Sequence, residues 1–168
     1  MDEKENEMTS KLARVTVAFA AGMLMLTLVG AAQSKDPFVG TWHLNLAKSK
    51  YNPGPGPKAT TSTYETAGKG YKVTVKTEPA TGPVQEWSYT TNLDGKDSPI
   101  TGNNPNADTA AAKRIDANTL EIVNKKGGKI TSTQKNVVSA DGKTRTVTTT
   151  GTDAQGQKVN NVAVYEKH

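Results

Sequence analysis

Phe38-Val39-Gly40-Thr41-Trp42-His43-Leu44 decides how the rest of the chain is read. Every second residue is large and apolar or glycine, the period of an extended strand with one buried face. Phe38, Gly40, Trp42, Leu44 and Leu46 fall on one side; Val39, Thr41, His43 and Asn45 fall on the other. The stretch therefore reads as a first strand with its tryptophan turned inward.

Downstream of it no helical period appears. Short runs rich in threonine and valine alternate with turn signals at Ala67-Gly68-Lys69-Gly70, Asp94-Gly95-Lys96, Asp116-Ala117-Asn118, Lys125-Lys126-Gly127-Gly128, Asp141-Gly142-Lys143 and Asp153-Ala154-Gln155-Gly156. Such residues tolerate the positive φ that tight hairpins need. The pattern predicts about ten strands, near 38–46, 59–66, 71–78, 84–93, 96–101, 108–115, 118–125, 129–138, 143–151 and 158–167. Short turns make sequence neighbours spatial neighbours. A meander this long must curl to remove its edges, so the expected fold is all-β, an antiparallel up-and-down barrel of 8–10 strands. A two-sheet sandwich is the rival, but it calls for longer crossover connections.

Alternation assigns further faces. Trp87, Tyr89 and Leu93 oppose Glu86, Ser88 and Thr90, and Tyr71, Val73 and Val75 oppose Lys72, Thr74 and Lys76. The later strands, Ile130 to Lys135 and Thr144 to Thr149, offer few apolar side chains on either face. Large apolar residues make up only roughly a fifth of residues 35–168, lean for a solid core. A polar, partly hydrated lumen accounts for this better than a dry interior, because buried hydroxyls and amides then have water as partner.

Ahead of the barrel, Lys11 and Arg14 precede an apolar run from Val15 to Val29 and the small-residue stretch Gly30-Ala31-Ala32-Gln33-Ser34. This is the layout of a secretory signal, with cleavage after Ala32 or Ser34. The run is shorter than the ~20 apolar residues that span a bilayer, so no stable membrane anchor is expected after cleavage. The acidic beginning, Asp2 to Glu7, runs against a signal's positive start and makes Met8 an alternative first residue. Residues 1–34 are thus expected to be a signal peptide, residues 35–168 a single domain, and the location periplasmic or extracellular.

The chain has no cysteine, which excludes a disulfide framework and a lipid-bearing cysteine. Residues 35–168 hold 18 basic and 12 acidic residues, a net charge of +6. These charges are scattered, which argues for solubility and against a nucleic-acid partner. The two histidines, His43 and His168, fall opposite Trp42 and at the last position, so neither a metal site nor a histidine acid or base is indicated. No nucleophile elbow, phosphate-cradling loop, zinc spacing or calcium loop occurs. Asp94, Asp116 and Asp141 are explained by their turns. No catalytic residue and no cofactor is assigned. Ser49 to Lys58, with Pro53, Pro55 and Pro57 separated by glycines, reads as a stiff connector or a rim loop at the barrel mouth, and Asn103-Asn104-Pro105-Asn106 as a second rim candidate.

With these residues in view the chain resembles the calycin superfamily. Phe38-Val39-Gly40-Thr41-Trp42 is similar to the opening of the fatty-acid-binding proteins, Gly40-Thr41-Trp42 matches the G-x-W signature of lipocalins, and Val164-Tyr165-Glu166-Lys167 resembles the last strand of the fatty-acid-binding proteins. The chain looks most like lipocalin-like proteins that bacteria secrete. The resemblance implies that Trp42 seals one end of the barrel as a structural plug. It also implies an internal anion site built from arginines and a tyrosine. Tyr165 matches the tyrosine, Ala163 stands where one arginine is expected, and the other arginine falls near Lys135. The Pro-Gly loop stands where those proteins insert helices, so no helical lid is expected.

The ligand-binding candidates are therefore Tyr165, Lys135, Trp87 and Tyr89. Whether Trp87 and Tyr89 line a cavity or are core, and whether Lys135 faces lumen or solvent, the residues leave open. The expected function is a non-enzymatic barrel holding a small hydrophobic or amphipathic ligand in its lumen. The alternative is an envelope interaction protein, an inhibitor or assembly partner, that meets a protein partner through its rim loops.

Overall fold

The computed structural model describes residues 36–152 and 156–168; the expected signal segment lies outside them. Eleven strands run in order: β1 (Gly40–Lys50), β2 (Ala59–Ala67), β3 (Gly70–Glu78), β4 (Gln85–Thr91), β5 (Asp94–Pro99), β6 (Thr101–Gly102), β7 (Thr109–Asp116), β8 (Thr119–Lys126), β9 (Lys129–Val138), β10 (Thr144–Thr152) and β11 (Lys158–Lys167). Every pairing is antiparallel, in the spatial order β5-β7-β8-β9-β10-β11-β1-β2-β3-β4-β6. The architecture is a nearly closed up-and-down barrel with no helix among the described residues.

The turns follow the sequence where glycine supplies the backbone. Gly127 and Gly128 join β8 to β9 with φ of 57° and 77°, the pair of left-handed residues a tight hairpin requires. The expectation fails around Leu93. The fourth strand ends at Thr91, not at residue 93, because the Thr91 hydroxyl accepts the Leu93 N–H at 3.1 Å and turns the chain there. Asp94-Gly95-Lys96 then lies inside β5 as an irregularity of its ladder with β7.

The expected meander also breaks at this point, since β4 and β5 do not pair. The stretch from Asp94 to Gly102 changes partner instead. Its first part pairs with β7, Ile100 donates to the Asp108 carbonyl at 2.8 Å, and Thr101–Gly102 pair with Ser88–Trp87 of β4. The two margins of the sheet are thus joined by one segment of chain.

The interior has two halves. At one end Phe38, Trp42, Tyr71, Leu120 and Val138 form a solid apolar layer, with Phe38 and Trp42 fully buried. The Trp42 indole donates to the Phe38 carbonyl at 2.8 Å, and the Phe38 and Tyr71 rings pack 6.3 Å apart. Asp36 fastens this end: its carboxylate accepts the Phe38 N–H at 3.0 Å and pairs with Arg114 at 2.8 Å. Above that layer the barrel is hollow. Leu46, assigned inward by alternation, is exposed, because β1 slips register against β11 between Asn45 and Lys50.

Candidate functional site: a polar cavity over a buried arginine

The hollow half is an open cavity of about 410 Å³. Strand parity decides what lines it. From β2 come Thr60, Ser62 and Tyr64; from β3, Val73 and Val75; from β4, Trp87 and Tyr89. The other wall is made by Ser132, Gln134 and Asn136 of β9, Arg145, Val147 and Thr149 of β10, and Asn161, Ala163 and Tyr165 of β11. Tyr51 and Pro57 from the Pro-Gly loop, with Asn104 and Asn106, border it at the mouth, so both candidate rim segments do reach the cavity. The Pro-Gly loop is held to β11 by Asn52 N–H to Asn161 Oδ1 and Asn160 N–H to the Asn52 carbonyl, both 2.8 Å.

Of the four ligand-binding candidates, three border this space. Trp87 and Tyr89 stand side by side on β4 with ring centroids 6.0 Å apart and planes 18° from parallel. Tyr165 faces inward from β11. Lys135 does not: Gln134 and Asn136 point into the barrel, which turns Lys135 outward to solvent. The cation inside the barrel is Arg145.

Arg145 lies on the cavity floor and is 3% exposed. Its Nη1 donates to the Tyr64 hydroxyl at 2.7 Å and to Asn136 Oδ1 at 3.1 Å, and its Nη2 donates to the Ser62 hydroxyl. The guanidinium carbon lies 4.5 Å from the Tyr165 ring centroid, 4.9 Å from that of Tyr64 and 5.4 Å from that of Trp42. Aromatic faces and neutral oxygens thus hold the group without cancelling its charge. No carboxylate pairs with it, and no aspartate, glutamate or histidine borders the cavity among the described residues.

Guanidinium has five N–H donors. Three are committed here, and Nε is buried without a partner, as is the Asn136 amide nitrogen. The surrounding phenols do not supply a counter-charge. Burial pushes the hydroxyls of Tyr165 and Tyr89 above the ordinary tyrosine range, against the opposing pull of Arg145, so both stay neutral. The cavity floor is a fixed, uncompensated positive charge beside the Tyr165 ring.

The signal for Arg145 was present in its strand. In Thr144-Arg145-Thr146-Val147, Arg145 shares parity with Val147, which faces inward. His43 and His168, by contrast, meet edge-to-face 4.7 Å apart on the outside of the barrel.

Comparison with protein-family models and with curated protein sequences finds no match. Among solved structures the chain is similar to the zebrafish ileal bile acid-binding protein, determined in complex with cholic acid: identity is 14%, TM-score 0.44, and the match covers 79% of this chain and 99% of that one.

Proposed function

We propose that this protein is an exported, non-enzymatic binding barrel that holds one small amphipathic molecule with its anionic end on Arg145. The observation that carries the reading is the buried guanidinium on the floor of an open cavity, with no carboxylate beside it. Taking a charge out of water costs several kcal/mol unless it is paired, and a structural arginine would ordinarily bring its own acid. A carboxylate or sulfonate arriving from the mouth supplies the missing partner through a charge-assisted hydrogen bond. A cavity of 410 Å³ suits one small molecule. Export rests on the sequence of residues 11–34, and the likeness to secreted lipocalin-like proteins on the Gly40-Thr41-Trp42 and Val164-Tyr165 ends.

The test is titration with 1-anilinonaphthalene-8-sulfonate, a ring-bearing anion that brightens when desolvated. One dye per barrel is expected, with binding lost in Arg145→Met and kept in Lys135→Gln. Equal binding by Arg145→Met sinks the reading. Fractionation of expressing cells with N-terminal sequencing checks export.

A further inference from the structure

The cavity is lined by polar and apolar side chains together, and this mixture bears on the body of the bound molecule rather than on its charged end. Across the β9–β10 ladder Gln134 and Thr149 are direct partners, and both side chains border the cavity. Neither the Gln134 amide nor the Thr149 hydroxyl has a hydrogen-bond partner among the described residues. Ser132, Asn136 and Asn161 extend the same polar patch along β9 and β11. On the opposite side of the barrel, five strands on from β10 in the sheet order, Trp87 and Tyr89 stack on one another beside Val75, with Thr77 and Gln85 on the same wall.

An alkyl chain laid between these walls would satisfy only the apolar part of the lining. It would displace water from Gln134 and Thr149 and leave their polar atoms facing methylenes, which forfeits hydrogen bonds that nothing else in the barrel replaces. A compact ring with an apolar face and hydroxyl groups on its edge uses both kinds of surface at once. Its apolar face packs against the Trp87–Tyr89 pair, while its edge exchanges hydrogen bonds with the amide and hydroxyl patch.

Resting on the binding role proposed above, we infer that the lumen is built for a hydroxyl-bearing ring carboxylate rather than a long-chain fatty acid. The acid group sits on Arg145, the ring lies against Trp87 and Tyr89, and the ring hydroxyls meet Gln134 and Thr149. A sugar acid and a hydroxylated aromatic acid share this chemistry, and the assay separates them.

Calorimetric titration of the barrel is run with methyl β-D-glucuronide, gallate, laurate and the uncharged methyl β-D-glucoside. The glucuronide or gallate is expected to bind at least about tenfold more tightly than laurate, and whichever of the two wins identifies the ring as saturated or aromatic. In the double variant Gln134→Leu, Thr149→Val the preference is expected to shrink or invert, because only the hydrogen-bonding wall has changed. Its thermal unfolding should match the parent, since neither side chain has a partner to lose. Laurate binding as tightly as both ring acids overturns this inference and leaves the binding role intact. Glucoside binding as tightly as glucuronide upholds the hydroxylated ring but overturns the role given to Arg145. Binding of none of the four overturns both.

Discussion

Arg145 and Tyr165 are direct partners across the β10–β11 ladder, with the guanidinium carbon 4.5 Å from the centre of the phenol ring. The charged group is therefore braced by the neighbouring strand as well as by Ser62, Tyr64 and Asn136. A guanidinium held in one place without a counter-ion is poised for an incoming anion, with little left to reorganise on binding.

Arg145→Met should separate binding from folding. The substitution removes a buried charge that has no counter-ion, and the acceptor oxygens it leaves behind on Ser62, Tyr64 and Asn136 belong to residues that line the cavity. Urea denaturation is expected to change by less than about 2 kcal/mol in either direction, while dye binding disappears. A loss of more than that would mean the arginine is chiefly a structural element.

Trp42→Ala should do the reverse. It removes a fully buried ring and the indole hydrogen bond to the Phe38 carbonyl. Truncating a large buried aromatic costs about 3–5 kcal/mol, and the same denaturation experiment reads it. A cost under ~1 kcal/mol would contradict a solid closed end.

Gly70→Ala probes a close approach rather than a turn. A β-carbon there would stand 1.9 Å from the Thr91 carbonyl oxygen, so β3 and β4 must separate to admit it. Overpacking of this kind costs about 1–3 kcal/mol. Gly151→Ala meets the Thr131 carbonyl oxygen at 2.2 Å and should behave alike. Unchanged denaturation midpoints in both variants would mean the strands are looser than described.

Alkaline pH should weaken the barrel before it titrates the folded tyrosines. Burial raises Tyr51, Tyr89 and Tyr165, and burial with the neighbouring Asp36 raises Tyr71. Above about pH 10 the unfolded chain releases phenolic protons that the folded chain keeps. The unfolded state then binds fewer protons, and stability falls as pH rises. Denaturation midpoints measured from pH 8 to pH 11.5 should decline, with tyrosinate absorbance at 295 nm rising together with unfolding. Smooth titration of all tyrosines near pH 10 in a still-folded protein would refute the burial argument.

Local alternation carried most of the strand reading. It turns Trp42, Trp87 and Tyr89 inward, which is where they stand, because each lies in a run where apolar and polar residues alternate, whereas Tyr165, in the unbroken run Val162-Ala163-Val164-Tyr165, is placed inside only by the resemblance of the last strand. Alternation was ambiguous in β9, where Val137 and Val138 are adjacent and either could set the inner face. Val138 does, with Asn136 and Gln134, and Lys135 turns out with Val137. Arg145 is hidden in the sequence for a related reason: in a strand of threonines a charged residue looks like one more solvent-facing side chain. What no periodicity encodes is the partner of a strand. The exchange across Ile100, where Asp94 to Gly102 leaves β7 for β4, depends on tertiary closure and not on the residues of that stretch alone.

The sealed end holds one further consequence. Asp36 and Phe38 enter the fold there, and the chain finishes beside them, with the His168 N–H donating to the Thr41 carbonyl at 3.1 Å and Lys167 paired with Trp42. Asp36 and His168 therefore lie at one pole of the barrel, while the cavity opens at the other. A surface or reporter attached at His168 would carry the barrel like a cup on its stem, with the cavity opening away from the attachment.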